Sequence, residues 1–272
     1  MKKIIKNKSK YEKLINYLKD LGSVAIAFSG GVDSTFLAYA AKEALGDKAV
    51  AITVDSPYIP RWELREAKVL AESIGIRHEK MVIEKIDKSI INNPPNRCYL
   101  CKKLIFKNIQ KKADKLGLKY VVDGSNLDDT KDYRPGMVAL KELGIKSPLL
   151  ETKWIKDNIR ETSEVIGLDT YNKPAYACLL TRLPYDNLIT IDDLRKIEKS
   201  EVYLISIGFK AVRVRCHNDL SRIEIAREDR HKLFDEDLLD KISKTLKSYG
   251  FTYVTIEVAG YQMGSFNQKI GK

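Results

Sequence analysis

The chain has 272 residues, 44% hydrophobic and 8% aromatic, enough for one large globular domain or two ordinary ones. No apolar run approaches a membrane span, and lysines interrupt the N-terminal stretch where a secretory leader needs its apolar core, so a cytoplasmic protein without a membrane partner is expected. The formal net charge of +11 allows a polyanionic partner, but the lysines are spread over nearly every segment, so charge alone does not single out nucleic acid.

Tyr11, Leu14, Ile15, Leu18 and Leu21 recur at helical spacing and predict an amphipathic first helix. The apolar run Val24-Ala25-Ile26-Ala27-Phe28 predicts a short buried strand. It breaks into Ser29-Gly30-Gly31-Val32-Asp33-Ser34, and a helical pattern runs from there to about Leu45, with Gly46 as its stop. Glycines between a strand and a helix let backbone approach an anion closely, and the helix start aims N–H groups and the positive end of its dipole at the same spot. Ser29, Ser34 and Thr35 add hydroxyl donors. No lysine follows the glycines and G-x-G-x-x-G is absent, which excludes a Walker-type loop and a dinucleotide fingerprint. An ordinary glycine turn is the plain alternative, but the full hexapeptide at a strand end favours phosphate. It resembles the pyrophosphate-binding loop of the ATP pyrophosphatase superfamily, whose members cleave ATP between the α- and β-phosphates.

The alternation continues. A strand over Ala49–Val54 ends at Asp55-Ser56-Pro57, and a helix through Trp62, Ala67, Leu70, Ala71 and Ile74 stops at Gly75. A strand near His78–Ile83, a helix over about 96–116 and a strand Tyr120–Val122 follow. Strands alternating with helices imply an α/β fold with a doubly wound, mostly parallel sheet. Ligands of such sheets sit outside the carboxyl ends of the strands. Three polar groups fall there: the Ser29–Ser34 loop, Asp55-Ser56, and Asp123-Gly124-Ser125-Asn126. Asp128, Asp129 and Asp132 come next, equally readable as a solvated turn or as functional carboxylates.

A helix is expected over about 152–166, then a proline-punctuated loop from Lys173 to Tyr185. Beyond it the pattern changes to a helix (about 191–207), strands 211–215 and 222–226, a helix (about 229–248) and strand 252–258. This predicts a smaller α+β domain over residues 181–272, after an ATP-pyrophosphatase-type domain over 1–180.

Cys98 and Cys101 stand at i, i+3 in the first turn of the 96–116 helix, so both sulfurs face one side. A lone CxxC can mean zinc, a redox dithiol or iron–sulfur ligation. A second zinc pair is missing, and Cys216-His217 would point to opposite faces of a strand. Cys178, on the loop between the domains, is the natural third thiolate for a cubane cluster with one open iron, the alternative being incidental buried thiols. Cys216 reads as structural. Arg213 and Arg215 leave one strand face together, a fork suited to phosphate or carboxylate, or else simply a solvated face.

Five stretches together carry a wider resemblance: SGGVDSTFLA from Ser29, NRCYLCKKLIF from Asn96, DGSNLDDTKDYRPG from Asp123, KPAYACLLTRLPY from Lys173 and RVRCHNDLSRIEIA from Arg213. With them the chain resembles the LarE family of ATP-dependent sulfur transferases. The resemblance implies that ATP, with Mg²⁺, adenylates the carboxylates of pyridinium-3,5-biscarboxylic acid mononucleotide, and that sulfur then displaces AMP to leave thiocarboxylates. The product leads to a nickel-pincer nucleotide. Some members of the family sacrifice the sulfur of one loop cysteine, the position of Cys178; others hold a [4Fe-4S] cluster on three cysteines, matched here by Cys98, Cys101 and Cys178. The resemblance further implies ATP or pyrophosphate contacts from Ser29, Gly30, Gly31, Val32, Asp33, Ser34, Asp55 and Gly124. It places Asp33, Lys102 and Cys178 in catalysis, and Glu201, Arg213 and Arg215 at the substrate or its phosphate. A sulfide donor and a symmetric homo-oligomer are expected partners. Two positions depart from the family: Gln262 replaces an arginine in the terminal G-Y-R-x-G-S pattern, and Cys216 stands where histidine is common. The competing expectation is a [4Fe-4S]-dependent tRNA 2-thiolation enzyme, disfavoured because no added RNA-binding domain is visible.

Overall fold

A computed structural model describes residues 7–131, 135–174 and 177–262. The chain divides into two units, residues 1–85 with 96–176, and residues 86–95 with 177–272.

In the first unit, α1 (Lys8–Leu21) and β1 (Val24–Ala27) precede α2 (Val32–Leu45), β2 (Ala49–Asp55), α3 (Arg61–Ile74) and β3 (Arg77–Val82). Then come α4 (Arg97–Lys115), β4 (Tyr120–Val122), α5 (Pro135–Glu142), the single-turn α6 (Pro148–Glu151) and α7 (Lys156–Val165). The four strands form a parallel sheet in the order β3-β2-β1-β4. The two-residue period of a strand divides it between two cores. Val24, Ile26, Ala49, Ala51 and Val122 face α1, α2, α3 and α7, while Ala25, Val50, Ile52, Val54 and Val121 face Phe106 and Ile109 of α4 and Leu140 of α5. With helices covering both faces, the strands read as continuous apolar runs, as a buried parallel sheet requires.

From β1 the chain builds outward through β2 and β3, then returns to place β4 on the other side of β1. The switch point therefore lies between β1 and β4, at whose carboxyl ends sit the glycine loop and the Asp123–Asn126 turn. The helix expected over 152–166 is broken. Trp154 is fully buried against Phe36, with ring centroids 4.8 Å apart, and Lys153 (φ 61°) and the extended Ile155 on either side of it restart the helix at Lys156. Burial of one large aromatic overrides the local helical pattern there.

Thr53 Oγ1 donates to the Phe28 carbonyl at 2.8 Å, fixing the strand end just before the loop. With that proton committed, His78 Nε2 donates to Thr53 Oγ1 at 2.8 Å. Burial holds the His78 pKa below its ordinary value of 6.5. The unfolded chain consequently takes up the proton first as pH falls below about 6.5, and the stability this histidine contributes, full above that value, declines through the folded-state pKa. Urea midpoints compared at about pH 7.5 and 5.5 should fall more for the wild type than for His78→Gln, which cannot titrate.

The second unit contains α8 (Ile191–Ser206), β5 (Val212–His217), β6 (Leu220–Ile225), α9 (Glu236–Ser248) and β7 (Tyr253–Ile256). Its sheet runs β5-β6-β7, antiparallel then parallel. The helix expected from about residue 229 starts only at Glu236, because Asp235 caps it by accepting the Leu238 N–H at 3.0 Å and a 3-10 turn (Arg227–Phe234) precedes it. Asn93 ties the 86–95 segment into this unit, donating from Nδ2 to the Leu183 and Pro184 carbonyls at 3.1 and 2.6 Å.

Candidate active site

The glycine loop is held by its own serines. Ser29 N–H donates to Ser34 Oγ at 3.3 Å, the two hydroxyls lie 3.1 Å apart, and Ser34 Oγ donates to the Gly31 carbonyl at 3.2 Å. Gly30 has φ of 70°, and a Cβ there would lie 3.1 Å from the Ala67 Cα of α3. A side chain at that position is therefore strained twice over, by the backbone conformation and by the close helix. Gly31 is the N-cap of α2, so no side chain blocks the helix start.

The turn after β4 closes on this loop. Gly124 lies against Asp33 and Ser34, where a Cβ would come within 3.1 Å of the Ser34 nitrogen. Asn126 Nδ2 donates to Asp33 Oδ1 at 3.3 Å, and the Lys156 ammonium is bonded to Asp33 Oδ2. Burial pushes the Asp33 carboxyl above its ordinary range, while Lys156 and Asn126 draw it back. From the other side Lys173 Nζ donates to the Gly30 carbonyl at 2.8 Å and pairs with Glu66 at 2.9 Å. Asp128 and Asp129 turn out to cap backbone: Asp128 accepts the Lys156 N–H at 2.8 Å, and Asp129 accepts that of Asn126 at 2.9 Å. Asp132, with Tyr133 and Arg134, lies outside the described residues.

Asp55, at the end of β2, is engaged by the Arg61 guanidinium and by Lys80 at 3.2 Å. Burial opposes its ionisation, but those two cations outweigh it and hold the carboxyl below its ordinary range. Lys102, on α4, runs over Gly136 of α5, where a Cβ would meet its Cδ at 2.6 Å. One turn before it, Cys98 is exposed, while Cys101 is half-buried with its thiol 3.6 Å from the Tyr58 hydroxyl. Two thiols a helical turn apart are a soft donor pair of the kind iron–sulfur or zinc sites use. Cys178 belongs to the second unit, and within either unit no three His, Cys, Asp or Glu side chains among the described residues gather at metal-binding spacing.

In the second unit Cys178 caps a short 3-10 turn (Leu179–Arg182). Arg182, 2% exposed, donates to the Ala177 and Cys178 carbonyls at 2.6 and 3.2 Å and forms a bidentate pair with Glu201 at 2.9 and 3.0 Å. Glu201 also accepts the Val214 N–H of β5 at 2.9 Å. Arg213 and Arg215 are both buried, which overturns the solvated-face alternative. Arg215 donates to the Thr181 carbonyl at 2.6 Å and to Glu224 at 2.7 Å, while Arg213 stacks over the Tyr261 ring, 5.2 Å from its centroid. Burial and the nearby Arg182 charge push Arg213 below its ordinary pKa. Cations crowded in this way favour an anionic ligand. Cys216 is 1% exposed and its thiol is pushed up to about 12 by burial and by Asp193, so it is a packed thiol, as expected.

Sequence reasoning did not single out Lys156, Lys173, Arg182 or Glu224. Glu224 stands directly opposite Arg213 in the strand register, yet it pairs diagonally with Arg215 at 2.7 Å and with Arg222 at 3.1 Å, a choice that packing makes. Nothing marks Lys156 in a chain this rich in lysine. Residues 263–265 of the terminal family pattern lie outside the described residues, but Tyr261 and Gln262 fall within them.

The sequence model of the NAD synthase family matches residues 8–115, the part that holds β1 to β3 and the glycine loop. An uncharacterised protein of Synechocystis is 41% identical over 97% of this chain and 99% of its own length. A tRNA-specific 2-thiouridylase of Clostridium botulinum is 31% identical over only 56% of this chain and 52% of its own length. The pyridinium-3,5-bisthiocarboxylic acid mononucleotide synthase of Lactiplantibacillus plantarum is 36% identical over 95% of this chain and 94% of its own length. With that match running essentially end to end over a parallel sheet of the ATP-pyrophosphatase type, the chain belongs to the LarE family of ATP-dependent sulfur transferases.

Proposed function

We propose that this chain converts the carboxylates of pyridinium-3,5-biscarboxylic acid mononucleotide to thiocarboxylates at the expense of ATP. The observation that carries this is the end-to-end match to the synthase, whereas the thiouridylase match stops at about half of either chain. Each round has two steps. A substrate carboxylate oxygen attacks the α-phosphorus of ATP and pyrophosphate leaves, giving an acyl-adenylate. A sulfide then attacks the acyl carbon, the C–O bond to AMP breaks, and the thiocarboxylate remains. A carboxylate resists nucleophiles, so the adenylate supplies the leaving group.

In this reading Ser29, Gly30, Gly31, Val32 and Ser34 cradle the departing pyrophosphate with backbone N–H and hydroxyl donors, with Gly124 closing the loop. Asp33 orients the loop together with Asn126, Asp55 shapes the neighbouring strand end, and Mg²⁺ accompanies the ATP. Glu201, Arg213 and Arg215 recognise the substrate and its phosphate, Glu201 acting through Arg182. Lys102 lies near the substrate. Cys98, Cys101 and Cys178 would hold a [4Fe-4S] cluster, which supplies a sulfide nucleophile when bound. An external sulfide donor, a cytoplasmic location and a symmetric homo-oligomer complete the proposal. Among the described residues no helix is long and apolar enough to cross a membrane.

Mass spectrometry of the reaction with ATP and the biscarboxylic mononucleotide tests it. AMP, pyrophosphate and a thiocarboxylate are expected, and ADP with inorganic phosphate would show that the loop has been misread.

A further inference from the structure

The glycine loop contains no lysine, yet the fold delivers one to it from far along the chain. Lys156 is the first residue of α7, and its ammonium rests on the carboxylate of Asp33 in the first turn of α2. Its root is fixed: the backbone N–H is held by Asp128 at 2.8 Å, and the preceding Trp154 is buried against Phe36 of α2. Its side chain remains 35% exposed and so keeps freedom to move. Lys173, the other lysine at the loop, is only 10% exposed and sits on the Gly30 carbonyl and Glu66. Asp33 does not rely on Lys156 alone, since Asn126 also donates to it at 3.3 Å.

We propose that Lys156 is a polyphosphate-binding residue of the ATP site, parked on Asp33 until the nucleotide arrives and then shared with its β- and γ-phosphates; this rests on the ATP reading given above. A polyphosphate at the loop brings several negative charges towards the Asp33 carboxylate, a repulsion that must be offset for the loop to work. An ammonium is a compact charge with three donors on a flexible stem, able to bridge a carboxylate and a phosphate at once. The fold thus restores from α7 the cation that a Walker-type loop carries within its own sequence.

Equilibrium binding of inorganic pyrophosphate, with excess Mg²⁺, to the full-length protein decides it. Lys156→Met should bind pyrophosphate about tenfold or more weakly, the loss of a charge-assisted bond, and bind adenosine as the wild type does. Lys156→Arg should recover most of the loss. In an Asp33→Asn background, whose loop has already lost its carboxylate, adding Lys156→Met should still weaken pyrophosphate binding about tenfold, because the lysine reaches the phosphates itself. A lysine that merely clamps Asp33 predicts the opposite pattern: once Asp33 is replaced by Asn, Lys156→Met would add nothing to the loss. That result overturns the proposal. If Lys156→Met fails to melt cooperatively, Lys156→Gln decides in its place, with pyrophosphate binding equal to that of the wild type against the proposal and binding about tenfold weaker for it. A wild-type protein that binds neither ATP nor pyrophosphate overturns instead the ATP reading on which the proposal stands.

Discussion

Replacing Cys178 by alanine is expected to abolish thiocarboxylate formation while pyrophosphate is still released from ATP in the presence of the dicarboxylate substrate. In the proposed reaction ATP is held by the glycine loop, the Asp123–Asn126 turn and their lysines, all within the first unit, whereas Cys178 lies in the second and enters only at sulfur transfer. Its backbone carbonyl is held by Arg182 and by Thr181, bonds that the substitution leaves in place. Single-turnover quench with separate detection of pyrophosphate and thiocarboxylate checks the split. Iron and acid-labile sulfide in anaerobically purified protein discriminate between the two sources of sulfur: loss of both in Cys98→Ala, Cys101→Ala and Cys178→Ala fits three-cysteine ligation. A mass deficit of one sulfur at Cys178 after a turnover would instead mark a sacrificial thiol.

The second large effect is on stability. Arg182→Met is expected to cost about 3–5 kcal/mol, because it leaves the Glu201 carboxylate buried without its bidentate partner. Among the described residues Glu201 then keeps one hydrogen bond, from the Val214 N–H at 2.9 Å, and the nearby Arg213 charge, too little to satisfy a buried carboxylate. The same change removes the Arg182 bonds to the Ala177 and Cys178 carbonyls, leaving the latter with its bonds from Thr181, so sulfur transfer should suffer beyond the loss of folded protein. Urea unfolding measures the first effect and activity per folded molecule the second. Arg182→Met combined with Glu201→Gln should cost less than the two single changes summed, since the second removes the stranded charge.

Much of this architecture is legible in the chain. The β/α alternation follows from apolar periodicity and glycine stops, and the loop is recognisable because Gly30 and Gly31 stand between a strand and a helix. Elements fail to be legible where long-range burial overrides local pattern. Trp154 interrupts a helix that its neighbours would continue, and Asp235 restarts one with a cap. The Arg213/Arg215 pair shows the same limit: spacing put both on one strand face, but only packing revealed that face to be buried and balanced by Glu224.

Fold class, energy source and family are all written in contiguous motifs, whose residue types and spacing carry their own chemistry. How those motifs are completed depends on long-range packing. Asp33 reads alone as an awkward carboxylate beside a phosphate; folded, it carries Asn126 from the switch-point turn and Lys156 from α7. Glu201 reads as a substrate ligand, but folded it is bound to Arg182, which fixes the backbone beside Cys178. Charges are placed by the whole fold, and a local motif cannot announce a partner that arrives from more than a hundred residues away.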